Sequence, residues 1–193
     1  MRCVSHSDTR RTQNASWEER SGGGVWQSDA MGFRASETYP ADVETAFALL
    51  CDPEMIVARF EHAGDTDVEI QRCEPDGDGF VIESTRTVTI DVPGFARKVL
   101  SPSNQMTQVE RWEAPADDGS RKGSMTVDVA GVPSRTSADY ELLPTDDGGT
   151  EHTVQGEMEL KIPLIGKKLG NFLSGTITDT AAADLAFVRD RLG

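Results

Sequence analysis

The stretch HTVQGEMELKIPLIGKKLGNFLSGTITDTAAADLAFVRDRL, running from His152 to Leu192, changes its hydrophobic period once, at Pro163. Before the proline, His152, Val154, Gly156, Met158, Leu160 and Ile162 share one side of an extended chain, while Thr153, Gln155, Glu157, Glu159 and Lys161 share the other. That is the pattern of a strand with one buried and one wet face. After the proline the period is near 3.6: Ile165, Leu169, Phe172, Leu173, Thr176, Ile177, Thr180, Ala183, Phe187 and Val188 form a stripe, with Lys167, Lys168, Asn171, Thr178 and Arg189 opposite. An amphipathic helix follows. At ~1.5 Å per residue it spans roughly 40 Å, long enough to cross a small sheet along its concave face.

Upstream, the same two-residue period recurs in Phe80-Ile82-Ser84-Arg86-Val88, in Met125-Val127-Val129 and in Thr136-Ala138-Tyr140-Leu142. Turn chemistry separates these segments at Asp76-Gly77-Asp78-Gly79, Asp117-Asp118-Gly119, Gly131-Val132-Pro133 and Thr145-Asp146-Asp147-Gly148-Gly149, so they read as an antiparallel meander. The domain opens with a short strand over Phe33–Tyr39. Two helices follow, one from Asp42 to Leu50 and one started by Asp52-Pro53 and running through Ile56 to Phe60. The stretch Asp91 to Leu100, with Pro93-Gly94, breaks the rhythm and reads as a helical turn or a loop over the sheet edge. The fold class is therefore α+β: a curved antiparallel sheet wrapped around a long C-terminal helix, with two short helices after the first strand.

A helix about 10 Å wide does not fill a strongly curved sheet. The middle of its stripe is also small and hydroxylated, at Thr176, Thr180 and Ala183. The arrangement predicts an apolar pocket, unless strand side chains fill the space. Polar residues on inward faces are costly to bury without partners, and they mark where such a pocket would be lined: Arg86, Tyr140 and His152 from strands, and Asp184 from the helix. Trp112, Met125, Met158, Phe172, Thr176 and Thr180 complete the candidate lining. Asp184 interrupts the apolar stripe, so it should pair with a strand arginine or reach the pocket mouth. The competing reading of each polar residue is a strand end or cavity rim, paired with a neighbour or water, and His152 begins its strand.

Several segments resemble a known family. Leu160-Lys161-Ile162-Pro163-Leu164-Ile165-Gly166-Lys167-Lys168, followed by the long helix, is similar to the Val-Pro-Leu-Val-Gly-Gly-Lys signature of domain-of-unknown-function family 2505, within the START-like (SRPBCC) helix-grip superfamily. Glu110-Arg111-Trp112, then Gly123-Ser124-Met125-Thr126-Val127-Asp128-Val129 leading into Gly131-Val132-Pro133, and finally Leu142-Leu143-Pro144 match in the same order. The resemblance implies a helix grip around a hydrophobic cavity, the fold of lipid carriers, polyketide cyclases and hormone receptors, and implies no particular reaction. Members carry acidic residues after the Gly-Lys turn and late in the helix. Here Gly170 stands near the first position and Asp184 only approximates the second.

Composition narrows the function classes. The formal net charge is −14, and residues 1–30 carry four basic and four acidic side chains, so the excess sits on the domain at 31–193. Such a surface disfavours nucleic acid and anionic membranes, and no run approaches the roughly 20 apolar residues of a membrane span. No stable membrane insertion is expected. Residues 1–30, with Arg10-Arg11, Gly22-Gly23-Gly24 and the sequon Asn14-Ala15-Ser16, lack periodicity and an apolar export core, and read as a disordered extension or upstream non-domain sequence. Cys3, Cys51 and Cys73 are odd in number and widely spaced, which fits a reducing compartment, and a cytoplasmic location is expected.

His6, His62 and His152 are isolated, the acidic clusters Asp65–Glu69 and Asp76–Gly79 lack a calcium loop's glycine, and no Gly-x-Ser-x-Gly or phosphate loop is present. No metal, cofactor or catalytic residue is assigned. The expected function is enclosure of a small hydrophobic or amphipathic molecule: a lipid, isoprenoid or polyketide-like metabolite. Two alternatives stand: a cyclase or dehydratase in which Arg86, His152 or Asp184 moves a proton, and an acidic module holding an unidentified basic protein partner.

Overall fold

In the computed structural model, residues 31–193 are described apart from 99 and 163; the amino-terminal extension expected at 1–30 lies outside the described residues. Seven strands make one antiparallel sheet: β1 (Met31–Tyr39), β2 (Thr66–Asp76), β3 (Gly79–Thr89), β4 (Ser103–Trp112), β5 (Arg121–Val129), β6 (Ser134–Pro144) and β7 (Thr150–Leu160). Their spatial order is β1-β7-β6-β5-β4-β3-β2. Strands β2 to β7 form the expected meander, and β1 closes against β7. Helices α1 (Val43–Leu50) and α2 (Pro53–His62) carry the chain from one sheet edge to the other, and α3 (Gly166–Leu192) follows β7.

Local chemistry sets the elements. Asp42 caps α1 by accepting from the Thr45 amide, and Asp52 caps α2 by accepting from the Glu54 and Met55 amides with Pro53 behind it, each supplying an acceptor for otherwise unpaired first-turn donors. In β7, Thr150, His152, Val154, Met158 and Leu160 are buried while Glu151, Gln155 and Glu157 are exposed, which is the alternation read from the sequence. The strand starts at Thr150, two residues earlier than expected, so His152 is an interior strand residue. Strand β2 is an edge: it is mostly exposed and broken by two register irregularities, and of the acidic run before it Asp67 and Glu69 are solvated while Asp65 turns inward to Arg86.

Register aligns the concave face in rows. Phe80, Trp112, Gly123, Tyr140 and Val154 fall in one; Ile82, Glu110, Met125, Ala138, Gly156 and Phe33 fall in the next. Two glycines make these rows possible. A Cβ on Gly123 would sit 2.9 Å from the Trp112 ring, so glycine there lets the indole lie flat across β5 and stack on Tyr140 at 5.2 Å. A Cβ on Gly156 would collide with the Ser137 carbonyl oxygen and lie 2.7 Å from Phe33.

Helix α3 packs chiefly on β1 and less on β7. Gly170 sits against Met31, Ser174 Oγ donates to the Gly32 carbonyl at 3.0 Å, and Arg189 donates to Glu37 at 2.7 Å. Because the helix hugs this edge, its buried stripe is rotated from the expected one. Leu169, Gly170, Leu185, Phe187 and Val188 are buried, whereas Thr180 and Ala183 are exposed and Phe172, expected as a large anchor, is 37% exposed. Over the middle strands Met106, Met125 and Val129 remain half-buried, so α3 does not cap β4 and β5.

No helix among the described residues is long and apolar enough to cross a membrane. Gly156→Ala should destabilise the fold by about 1–3 kcal/mol, because the methyl meets backbone that cannot yield; denaturant unfolding checks it against Gly175→Ala, an interior position of α3 with open space around it, which should instead stabilise by about 0.5–1 kcal/mol.

Candidate functional site

On α2, Met55, Ile56, Arg59 and Phe60 lie on the buried face. Helical spacing thus drives one cation, Arg59, into the interior with its apolar neighbours. It is 6% exposed and meets two carboxylates: Glu110 of β4 at 3.7 Å and Asp184 of α3 at 3.2 Å. Glu110 is 3% exposed and accepts from Gln108 Nε2 at 2.6 Å. Gln108 Oε1 in turn accepts from Arg86 at 2.8 Å, and Arg86 donates to Asp65 at 2.7 Å. One polar chain, Asp184–Arg59–Glu110–Gln108–Arg86–Asp65, therefore ties α3, α2, β4 and β3 together. The Arg86 guanidinium also lies over the Phe60 ring at 3.9 Å, a favourable cation–π stack.

Burial and charge act against each other along this chain. Burial alone would lower the Arg59 pKa, but Asp184 and Glu110 outweigh it and hold it above its ordinary value. At the other end burial wins. It lowers Arg86 and raises Asp65 despite their contact, as expected for an ion pair whose lost hydration exceeds its mutual attraction.

Beside the chain stands an aromatic group. The Tyr39 hydroxyl lies 2.8 Å from His152 Nδ1, the His152 ring is 6.4 Å from Trp112 and 5.9 Å from Tyr140, and Tyr140 donates its hydroxyl to Met125 Sδ at 3.0 Å. Burial raises both tyrosine pKa values, so the phenols stay protonated. Burial, with Arg59 adding to it, pushes His152 down from 6.5 to about 3, which keeps its ring neutral through the physiological range. With Tyr39 donating to Nδ1, the ring proton sits on Nε2; the reversed tautomer makes Nε2 an acceptor.

Among the described residues, four buried side-chain atoms in these two groups have no hydrogen-bond partner: Arg59 Nε, Arg86 Nη1, Trp112 Nε1 and His152 Nε2. Arg59 Nε is close to Asp184 in charge-pair terms but lacks hydrogen-bond alignment. Three of the four are obligatory donors. Native interiors rarely leave such atoms unpaired, so their grouping on one concave face marks a place for acceptor atoms.

One flank of α3 is unevenly covered. Leu169 and Phe187 are eighteen residues apart, about five turns, and so share one helix flank. Leu169 is covered in a cluster with Val92, Ala96 and Leu100, and Phe187 by His62 stacked at 4.5 Å. Midway between them on that flank Thr176 is only half-buried and Thr180 is exposed. Two depressions, of about 490 Å³ at Tyr39, Asp147, Arg189 and Gly193 and of about 380 Å³ at Arg34, Lys122, Asp139, Tyr140 and Gln155, are lined by none of the four residues with an unpaired atom.

Among the residues singled out in the sequence, Arg86, Trp112, Tyr140, His152 and Met158 are buried, Met125, Thr176 and Asp184 are half-buried, and Phe172 and Thr180 are exposed. Trp112, Tyr140, His152 and Met125 come together. Met158 sits apart with Leu160, Leu169 and the 91–100 segment. Asp184 pairs with an arginine on α2 instead of a strand arginine, because α3 faces α2 at this end. Arg59, Glu110, Gln108, Asp65 and Tyr39 are not among the lining residues expected from the sequence. A signal existed for two: Arg59 interrupts an apolar helix face, and Glu110 shares the inward parity of Trp112. Among the described residues no cluster of His, Cys, Asp and Glu could hold a metal ion.

The family whose description reads "Protein of unknown function (DUF2505)" matches residues 34–192. No curated protein matches the chain. Solved structures do: TTHA0849 from Thermus thermophilus, at 16% identity over 84% of this chain and 97% of that one with a TM-score of 0.61; the Zhui aromatase/cyclase from a Streptomyces species, at 14% over 84% and 93% with a TM-score of 0.56; and the human StarD13 lipid transfer and protein localization domain, at 15% over 84% and 77% with a TM-score of 0.54. At these identities the likeness carries the fold, and the fold is the START-like helix grip.

Two outcomes are expected. Arg59→Met should cost on the order of 3–5 kcal/mol, since it strands two carboxylates, and adding Glu110→Gln and Asp184→Asn should recover most of it in denaturant unfolding. His152 takes up a proton in the unfolded chain below about 6.5 but in the folded chain only near 3, so stability present above pH 6.5 is lost as pH falls. The unfolding free energy from denaturant titrations between pH 7 and 4 should drop by up to roughly 1.4 kcal/mol per pH unit from this group, and His152→Gln should flatten that slope.

Proposed function

Because the chain belongs to the family described as "Protein of unknown function (DUF2505)", whose description names no activity, we propose from the geometry that it is a binding protein for a small amphipathic molecule held on the concave face between α3 and strands β4 to β6. The single observation behind this reading is the set of buried, unpaired donors, Trp112 Nε1 foremost, beside an aromatic group. The ligand's apolar body lies over Trp112, Tyr140, Met125 and Ile177, and its oxygen-bearing end accepts from Trp112, Arg59 or Arg86. Entry runs past Thr176 and Thr180, with Phe172 at the rim. The covering side chains must give way on entry, and Met125, an unbranched thioether, is suited to that. A lipid, an isoprenoid or a polyketide-like ring system bearing carbonyl or hydroxyl groups meets these requirements. An aromatase/cyclase and a lipid transfer domain share the fold.

A neutral His152 bonded to Tyr39 acts in this reading as a hydrogen-bonding partner for the ligand and not as a base. The test is mass spectrometry of protein purified under native conditions, with titration by a solvatochromic naphthyl ketone dye. A co-purified amphipathic molecule or saturable dye uptake is expected, and Trp112→Phe, which keeps the ring and removes the donor, should weaken dye binding about 3- to 10-fold. No co-purified molecule together with no saturable uptake would overturn the reading.

A further inference from the structure

The amino end of α3 differs in charge from the rest of the domain. Four of the chain's five lysines, Lys98, Lys161, Lys167 and Lys168, lie with Arg97 in the segments 91–100 and 161–168, where the one carboxylate is Asp91; residues 31–193 as a whole carry 15 basic and 29 acidic side chains. These segments form one tip. Val92, Ala96 and Leu100 pack with Leu160 and Leu169, with Phe95, Val132 and Ile162 against them. The Lys161 amide donates to the Pro133 carbonyl at 2.9 Å, and Lys168 Nζ lies 4.3 Å from the Phe95 ring. All five cations are exposed.

Between Lys161 and Lys167 in this basic end is Leu164. It is 105% exposed, the extreme among the large hydrophobic residues, and has φ +71. A left-handed backbone is unfavourable for a leucine side chain, and none of the described residues covers that side chain. An exposed apolar residue in a strained conformation points to a use outside the folded domain. Among the described residues the other exposed large hydrophobic, Phe172, is two turns along α3. Helix α3 also starts here without a side-chain cap, which adds its positive end to the same tip.

We propose that this tip docks reversibly on an anionic bilayer surface: Leu164 enters the headgroup region, and Lys98, Lys161, Lys167, Lys168 and Arg97 meet lipid phosphates. An apolar point ringed by cations is the pairing such a surface selects, since apolar burial and headgroup attraction add. The strongly negative remainder is repelled, so it turns the tip toward the bilayer and keeps the contact weak. A net charge averaged over the chain conceals this polarity. Screening length is about 8 Å at physiological salt, so the tip is felt by the surface ahead of the distant acidic faces. Docking here would place the α3 flank at Thr176 close to the bilayer, yet the contact itself requires no occupied pocket.

The test is flotation of the full chain with vesicles of phosphatidylcholine alone and of phosphatidylcholine with about 30% phosphatidylglycerol, at about 50 and 300 mM salt. Binding is expected to the anionic vesicles at low salt, weakening at least about tenfold at high salt and on neutral vesicles. Leu164→Asn, a residue that tolerates positive φ, keeps the fold and should weaken binding about tenfold. Lys167→Ser with Lys168→Ser should do at least as much. Trp112→Phe should bind vesicles like the wild type, which separates this test from that of ligand uptake. No binding to anionic vesicles, equal binding to neutral ones, or a Leu164→Asn variant that binds unchanged would overturn the proposal, including where the tip proves to hold an acidic protein instead.

Discussion

The cation of Arg59 governs the arrangement of the interior. A guanidinium on the buried face of α2 cannot lose its charge, so it must be surrounded by anions. It finds them on two separate elements, Glu110 of β4 and Asp184 of α3. The three elements are thereby fixed to one another at the end of the sheet where α2 packs. Glu110 extends the constraint through Gln108 to Arg86 and Asp65, so the sheet's interior polar row is oriented by the same charge. Such a network adds little net stability over an apolar core; it specifies which helix faces which strand.

The second constraint is the asymmetric seat of α3. Gly170 against Met31, Ser174 on Gly32 and Arg189 on Glu37 align the helix with β1 from end to end. That leaves β4 and β5 uncovered by α3, while Phe47 of α1 packs on Trp112 at 5.5 Å; Trp112, Tyr140, Met125 and His152 form an aromatic group in which Trp112 Nε1 and His152 Nε2 have no partner among the described residues. Gly123 is the local cause, since a side chain there would lift the indole from the sheet. Binding capacity thus arises from a helix held to one side and a strand residue small enough to let an aromatic ring lie down.

Charge is distributed to match. The acidic majority covers the strand edges and turns, and the basic minority gathers where α3 begins, next to an uncovered leucine. The two ends of α3 therefore have different chemistry: the carboxyl end is locked to α2 through Asp184 and Phe187, and the amino end presents Leu164 to solvent.

Periodicity alone determined the strand from His152 onward, the switch at Pro163, the long helix, the meander and the two short helices, because each follows from which neighbours along the chain share a face. The inward parity of Arg86, Tyr140 and His152 was legible for the same reason. The helix stripe was legible only to within a rotation: Phe172 and Thr180 fit an amphipathic wheel yet lie exposed, because the seat on β1 selects which flank is covered. The partner of Asp184, the unpaired state of Trp112 Nε1 and the gathering of Lys98 with Lys161 and Lys168 were decided by tertiary structure alone. These are contacts between residues far apart in sequence, set by strand register and helix placement, and no local pattern encodes the distance between two side chains that meet only after the chain has folded.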